Sequence, residues 1–154
     1  MAISAKTVTS FKESLEQVWD WQDRTLELIL APHNLQPQHY LILKHVVQTD
    51  GVDRSELAPR SMRSEGALTR AIQALEGKKL VTRQQQPGDK RRVKVLPTEA
   101  ATELCRNVEQ VWLDSVQAIV EKIPAGKRAE ILQVLRMLNT YIPYGRFEGL
   151  LPPS

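Results

Sequence analysis

The sequence predicts a mainly α-helical protein with one small β-hairpin, an α+β fold. Three observations predict it. Apolar residues recur at helical spacing over most of the chain, and one short basic segment alternates apolar and polar residues around a turn. The length of 154 residues, 42% of them hydrophobic, is enough for a domain with its own core.

The first two predicted elements are helices. The first extends from about Ser10 to Ala31 and stops before Pro32, because the residue before a proline disfavours helical geometry. Its apolar positions are Phe11, Leu15, Val18, Leu26 and Ile29. The second is a well-buried helix that ends near Asp50-Gly51, with apolar residues at Tyr40, Leu41, Leu43, Val46 and Val47.

A pair of shorter helices follows. Asp53 with Glu56 resembles a capping box and predicts a helix start, whereas Pro59 is expected to limit that helix. Ser64 predicts the next start, and Gly77 is expected to end this helix as its left-handed cap. The apolar face of the second helix of the pair consists of Leu68, Ile72 and Leu75.

A hairpin and two more helices complete the predicted order. The strands 80–86 and 91–96 flank the turn Pro87-Gly88-Asp89-Lys90. After Thr98-Glu99 a helical pattern of about 25 residues, roughly 37 Å long, continues to the break at Pro124. A last helix is predicted over 127–142, and the tail 143–154 is expected to be irregular.

The long helices predict a homodimer. Their apolar stripes would be poorly covered within one chain of this length, and a second copy would cover them. A bundle of the three long helices within one chain is the alternative.

The charge of the chain is concentrated in its centre. Between Arg60 and Lys94 there are ten Lys and Arg against three acidic residues, whereas the rest of the chain is mildly acidic. This distribution indicates a surface that faces an anion, most simply a nucleic acid. A solvated basic face is the alternative.

Several function classes fit the sequence poorly. There is no run of 18 apolar residues and no secretory pattern, and the single cysteine, Cys105, allows no internal disulfide, so we expect a soluble cytoplasmic protein without a membrane partner. No phosphate loop or recognisable triad is present, which predicts that the chain is not an enzyme and needs no cofactor. The spacing of His33, His39 and His45 disfavours a metal site.

Helix, turn, helix and basic hairpin together predict a winged helix-turn-helix. The second helix of the pair fits a DNA major groove about 12 Å wide, and the hairpin reaches the minor groove or the backbone. Thr69, Arg70 and Gln73 fall off the apolar stripe and are suited to bases or phosphates. Arg91 or Arg92 would favour a narrow minor groove.

At these positions the sequence resembles the multiple antibiotic resistance regulator (MarR) family of bacterial transcription factors. The resemblance lies in Glu56-Leu57-Ala58, Ser64, Leu68-Thr69-Arg70, Leu75-Glu76, Leu80-Val81, Arg83, Asp89-Lys90-Arg91-Arg92 and Thr98-Glu99. It implies a homodimer that binds a pseudo-palindromic operator on double-stranded DNA, usually as a repressor released by a small ligand or by oxidation. By position, Arg91 resembles the arginine that enters the minor groove, Asp89 the acid that orients it, and Ser64 the cap of the recognition helix.

We therefore predict four parts and one function. The parts are an N-terminal dimerisation helix (1–34), a winged DNA-binding domain (35–97), C-terminal dimerisation helices (98–142) and a tail (143–154). The function is that of a homodimeric regulator, expected to be a repressor. The predicted DNA contacts are Arg63, Ser64, Thr69, Arg70, Gln73, Asp89, Arg91 and Arg92. A winged helix used for protein contacts, or an architectural DNA binder without a sensor, remains the alternative.

An effector site is the last prediction. Aromatic walls with a few polar groups suit a small aromatic or anionic ligand. The candidate lining residues are Trp19, Trp21, Arg24, His39, Tyr40 and Trp112. For Trp19, Tyr40 and Trp112 the alternative is a place in the core or the dimer interface, and for Cys105 a buried, inert thiol is favoured over an oxidation switch.

Overall fold

The computed structural model describes residues 3–61, 65–86 and 89–141, with side chains described for 3–57, 66–85 and 92–141. The elements are α1 (Ala5–Leu30), α2 (Pro37–Gln48), β1 (Val52–Asp53), α3 (Arg54–Ser61), α4 (Glu65–Gly77), β2 (Val81–Gln86), β3 (Asp89–Pro97), α5 (Glu99–Lys122) and α6 (Ala125–Tyr141), with a 3-10 turn over Ala31–His33. The mainly α-helical fold with a small hairpin is confirmed. The chain divides into two compact units, Met1–Trp112 and Leu113–Ser154.

Helix α1 begins five residues earlier than the apolar pattern predicts. The hydroxyl of Ser4 accepts the Thr7 N–H at 3.1 Å, which caps the first turn at Ala5. At the other end the N–H of Leu35 donates to the carbonyl of Leu30 at 3.3 Å, and Asn34 adopts a left-handed conformation. The Ser4 cap therefore determines where this helix begins, whereas the helical spacing of apolar residues starts only near Ser10.

The end of α4 corrects one prediction. Gly77 is the last helical residue and has no positive φ, whereas Lys79 has a φ of 58°. The N–H of Lys79 donates to Glu76 at 2.8 Å and the N–H of Leu80 donates to Leu75 at 3.0 Å, which is a Schellman motif with lysine in the left-handed position. The prediction that Gly77 supplies the left-handed cap is wrong, because the hydrogen bonds that close the helix put Lys79, two residues later, in the left-handed position; Leu80, which follows, is buried at 6% exposure.

Two boundaries around α3 and α6 also differ from the predictions. Helix α3 includes Pro59 and ends at Ser61, two residues beyond the proline that was expected to limit it. Helix α6 starts at Ala125 rather than at Lys127, and the N–H of Lys127 donates to the carbonyl of Pro124 at 2.8 Å. Residue 142 and the tail 143–154 lie outside the described residues.

The sheet contains the predicted hairpin and one strand that was not predicted. Its order is β1-β3-β2, and both pairs are antiparallel. Strand β1 pairs Val52 with Val95 and Asp53 with Lys94. Strand β3 already starts at Asp89, within the predicted turn, and the register with β2 shifts between Gln85 and Gln86. A strand of two residues has no periodicity of its own, and the pattern along the sequence therefore gave no sign of β1.

The core of the first unit lies beneath the helix-turn-helix and the sheet. The predicted apolar face of α4 is fully buried, with Leu75 at 0% exposure. Helix α5 enters this core through its first three turns. The buried apolar residues are Leu30, Leu35, Tyr40, Ile42, Leu43, Val46, Val52, Leu57, Leu68, Ala71, Ile72, Leu75, Leu80, Val81, Val95, Ala101, Cys105 and Val108.

The second unit leaves its described apolar residues more exposed than the first unit does. None of the described residues of α6 is buried. Its exposed large apolar residues are Ile131, Leu132, Val134, Leu135, Met137 and Tyr141. A cavity of about 470 Å³ lies between the end of α5 and the start of α6, lined largely by apolar side chains that include Ile123, Ile131 and Leu135.

Candidate DNA-binding interface

Helix α4 presents two polar side chains away from its buried face. Arg70 and Gln73 are exposed, whereas Leu68 and Ile72 on the other side are buried. The Arg70 guanidinium lies back over the first turn, since a Cβ at Gly66 would be 3.8 Å from its Nη1. Both side chains lie on the face that the periodicity predicts. This face is exposed, so it is free to contact a partner as large as a DNA duplex.

Thr69 has a more internal position than Arg70. It is half-buried, and its hydroxyl accepts a hydrogen bond of 2.8 Å from Nη2 of Arg54, the first residue of α3. Contact between Thr69 and a base remains a prediction. The structure adds Arg54, which sequence reasoning missed because the two residues are fifteen positions apart and on different helices.

Ion pairs connect the described part of the wing, the hairpin of β2 and β3, with the rest of the domain. Nη2 of Arg92 on β3 lies 3.3 Å from Oδ2 of Asp53 on β1. The Arg83 guanidinium on β2 makes two contacts to the Glu76 carboxylate on α4, Nε to Oε1 at 3.1 Å and Nη2 to Oε2 at 2.6 Å. This forked geometry fixes the direction of both groups. Arg92, a predicted DNA contact, therefore has an acidic partner within the protein.

Four predicted contact residues cannot be placed. Arg63 and Ser64 lie outside the described residues, as do the side chains of Asp89 and Arg91. The orientation of Arg91 by Asp89 and the capping by Ser64 therefore stay predictions.

Of the predicted effector residues, two line a common cavity. Tyr40 and Trp112 border a space of about 120 Å³ together with residues of α1, α2 and α5. Its other lining residues are Gln22, Leu26, Leu41, Lys44, Val108 and Glu109. The Trp21 ring packs on Trp112 with centroids 5.6 Å apart. Tyr40 also belongs to the core, so the cavity wall and the core share this ring.

The remaining predicted effector residues lie away from this cavity lining. Trp19 is 52% exposed and Arg24 is exposed. His39 is half-buried, and its pKa is lowered by burial and by the charge of Lys78. Whether any of them contacts an effector stays a prediction.

A second cavity, of about 210 Å³, lies beside Cys105 and shares Tyr40, Lys44 and Glu109 with the first. Nζ of Lys44 contacts Oε2 of Glu109 at 2.8 Å, which links α2 to α5. Burial raises the pKa of the Cys105 thiol to about 11; Lys44 opposes this shift, while Glu109 adds to it. A thiol of this kind is almost entirely protonated near neutral pH and is therefore a poor nucleophile.

Two further features concern only the part of the chain that the structure describes. No group of three or more His, Cys, Asp or Glu residues is arranged there to hold a metal ion. Among these residues, no helix has both the length and the apolar character needed to cross a bilayer.

Comparison with known proteins identifies the domain that carries this interface. Residues 35–93 match the model of the MarR family. The resemblance carried by the helix-turn-helix and the wing is thereby confirmed, and the fold is that of the MarR winged-helix transcription regulators. No curated protein sequence matches the chain.

Solved structures share this fold over most of the chain. A mutant MarR from E. coli is 24% identical, with a TM-score of 0.72, covering 90% of this chain and 98% of that one. A second structure, of this mutant MarR complexed with operator DNA, is 23% identical, with a TM-score of 0.67, covering 89% of this chain and 99% of that one. YusO from Bacillus subtilis is 16% identical, with a TM-score of 0.75, covering 91% and 100%. NadR in complex with 4-hydroxyphenylacetate is 23% identical, with a TM-score of 0.64, covering 90% and 97%.

Proposed function

We propose that the chain is a cytoplasmic repressor that binds a pseudo-palindromic operator as a homodimer and is released by a small-molecule effector. The observation that carries the proposal is the polar face of α4, where Arg70 and Gln73 stand exposed opposite the buried apolar face. Arginine and glutamine are suited to guanine and adenine edges in the major groove. The operator complex of E. coli MarR supports the use of this fold on DNA.

Dimerisation is proposed from the apolar side chains that single-chain packing leaves exposed. They occur on α1, on the later turns of α5 and on α6, in numbers unusual for a surface that stays in water. They are Val8, Phe11, Val18, Trp19, Val111, Leu113, Ile119, Val120, Ile131, Leu132, Val134, Leu135 and Met137. A second copy of the chain would place two α4 helices on one duplex, about 34 to 36 Å apart for half-sites one turn apart.

The effector is proposed to bind in the cavity bordered by Tyr40 and Trp112. The cavity has an aromatic wall, and beside it lie Lys44 and Glu109, which pair with each other at 2.8 Å. Such a wall suits a small aromatic molecule, and an anionic group on the ligand would compete with Glu109 for Lys44. The 4-hydroxyphenylacetate bound to NadR is a molecule of this kind, which supports the proposal. A ligand that prefers a different separation of the α4 helices would lower operator affinity without touching DNA.

The first experiment is fluorescence anisotropy with two duplexes, the DNA upstream of the chain's own gene and a random sequence, at several salt concentrations. The proposal predicts tight binding to the upstream DNA, with affinity that falls steeply as salt rises. Absence of binding to both duplexes at low salt would contradict the proposal and favour a winged helix used for protein contacts.

Two arginine variants test the individual predicted contacts. Arg91→Ala is expected to weaken operator binding strongly while the dimer stays intact, and Arg70→Ala is expected to change the order of preference among operator variants. Arg106→Ala, on the exposed surface of α5, removes the same charge as a control. If Arg91→Ala binds within about twofold of the original chain, the wing has no part in binding. If the order of preference is unchanged by Arg70→Ala, Arg70 contacts only the backbone.

A further inference from the structure

Two consecutive residues, Asp53 and Arg54, reach in different directions from the junction of β1 and α3. The Asp53 carboxylate contacts Arg92 of β3 at 3.3 Å. The Arg54 guanidinium donates to Thr69 of α4 at 2.8 Å. One short piece of backbone is thus joined to the wing on one side and to the helix that carries Arg70 and Gln73 on the other.

The contact to the wing follows from strand register. Asp53 pairs with Lys94 in the β1 and β3 ladder, and Arg92 lies two residues before Lys94, so Asp53 and Arg92 form a diagonal pair on one face of the sheet. The Asp53 side chain is only 17% exposed, whereas that of Arg92 is 60% exposed. The carboxylate is therefore the more enclosed partner, and the contact limits the conformations open to the exposed Arg92 side chain.

The contact to α4 restrains the rotation of that helix. Thr69 directly precedes Arg70 and lies one turn before Gln73. A bond from Arg54 to the Thr69 hydroxyl fixes this edge of α4 against the start of α3. Rotation of α4 about its axis would move Arg70 and Gln73 together, and the bond opposes it.

We propose that Asp53 and Arg54 are positioning residues that determine DNA specificity, because together they hold the wing and α4 at one relative orientation. The inference rests on the proposed DNA-binding function. Base readout needs side chains in register with the base edges, whereas phosphate contacts tolerate displacement. Loss of either contact therefore lowers the preference for the operator more than it lowers binding to random DNA.

Charge makes Asp53→Asn a decisive variant. Removal of a carboxylate makes the domain more positive, and electrostatics alone predicts tighter binding to every duplex. The positioning role predicts instead that affinity for the upstream DNA falls about tenfold while random DNA binds as well as before or better. Glu103→Gln, an exposed carboxylate on α5, makes the same charge change and is the matched control.

Variants at the other contact keep the charge constant. Arg54→Lys retains the cation but loses the planar donor, and Thr69→Val removes the acceptor at nearly constant volume. Both are expected to lower the ratio of upstream to random affinity by about threefold to tenfold, with an unchanged slope against salt. Ratios within twofold of the original chain for both Asp53→Asn and Arg54→Lys would overturn the proposal whatever the result for Thr69→Val, because Thr69 is itself a predicted DNA contact.

A measurement without DNA separates this proposal from the proposed function. Amide hydrogen exchange is followed in peptides from β3 and α4 of the free protein. The positioning role predicts faster exchange in β3 for Asp53→Asn and in α4 for Arg54→Lys, with no change for Glu103→Gln. Unchanged exchange in all three variants would overturn the role of the two residues even if the chain binds its operator. Faster exchange in a chain that binds no DNA would support the restraint and refute the DNA-binding function.

Discussion

Helices α4 and α6 both carry several large apolar residues, but their surroundings differ. Helix α4 buries Leu68, Ala71, Ile72 and Leu75, whereas α6, although longer, buries none of its described residues. Helix α5 shows both situations along its length, because Cys105 and Val108 are buried but Leu113 and Ile119 are exposed. Periodicity therefore predicts which residues need an apolar environment, but the packing decides whether the same chain supplies it.

The largest effect is expected for a substitution in the buried apolar face of α4. Leu75→Ala removes a fully buried side chain from the core beneath α4 and is expected to lower the free energy of unfolding by about 2 to 5 kcal/mol. Chemical denaturation at one protein concentration measures this change. Leu28→Ala, at a residue that is 75% exposed, is the control and is expected to change stability by less than about 0.5 kcal/mol. A loss below about 1 kcal/mol for Leu75→Ala would contradict the described core.

The buried turns of α5 make a chemical prediction. Since burial raises the pKa of Cys105 from 9.0 to about 11, its thiolate fraction at pH 8 is about a hundredfold below that of the unfolded chain. Alkylation by iodoacetamide at pH 8 is expected to be slower by at least this factor in the folded protein, and the same protein in denaturant is the control. Equal rates in the two states would show an accessible thiol and favour an oxidation switch.

The same shift affects stability at high pH. The folded state holds the Cys105 proton up to about pH 11, whereas the unfolded state loses it near pH 9, so stability falls as pH rises between these values. The decline measured by denaturation is expected to be smaller in Cys105→Ala, which has no proton to lose at this position. An equal decline in both proteins would contradict the shift.

The exposed apolar residues of α6 predict that a charge introduced among them weakens dimer association. Leu135→Glu places a charge on the apolar face of α6, and burial of an unpaired carboxylate in a dimer interface is expected to weaken association at least about tenfold. Sedimentation equilibrium measures the mass. Gln133→Glu adds the same charge at an exposed polar position of α6 and is the control. Equal masses for the two variants would remove this face from the dimer interface.

The smallest effects concern the end of α4. Gly77→Ala is expected to stabilise the protein by about 0.5 to 1 kcal/mol, because residue 77 is helical and a Cβ there has no neighbour within 4 Å. Lys79→Gly is expected to stabilise it by about 1 kcal/mol, because Lys79 has the left-handed conformation. Denaturation of both variants measures the changes. Destabilisation by Gly77→Ala would restore Gly77 as the left-handed cap.

Much of the fold was predictable because it depends on local patterns. The apolar spacing predicted the buried face of α4, and the alternation of residues predicted the hairpin. The left-handed Lys79 was not predictable from residue preference, since glycine is favoured there and Gly77 lies only two positions away. The N–H groups of Lys79 and Leu80 close the helix instead, and Leu80 is buried directly after this turn.

The site was predictable to a smaller extent. The exposure of Arg70 and Gln73 follows from their position on one helix. The contacts of Arg54 with Thr69 and of Asp53 with Arg92 join residues 15 and 39 positions apart, and they depend on how α4 and the sheet pack. A pattern along the sequence contains no signal for such pairs.

The number of chains on one upstream duplex tests the central claim most directly, because it depends on both regions at once. Native mass spectrometry of the original chain with this duplex is predicted to show two chains per DNA molecule. Leu135→Glu is predicted to give mainly free DNA at the same concentration. One chain per duplex at full affinity, in the original protein and in the variant alike, would contradict the account.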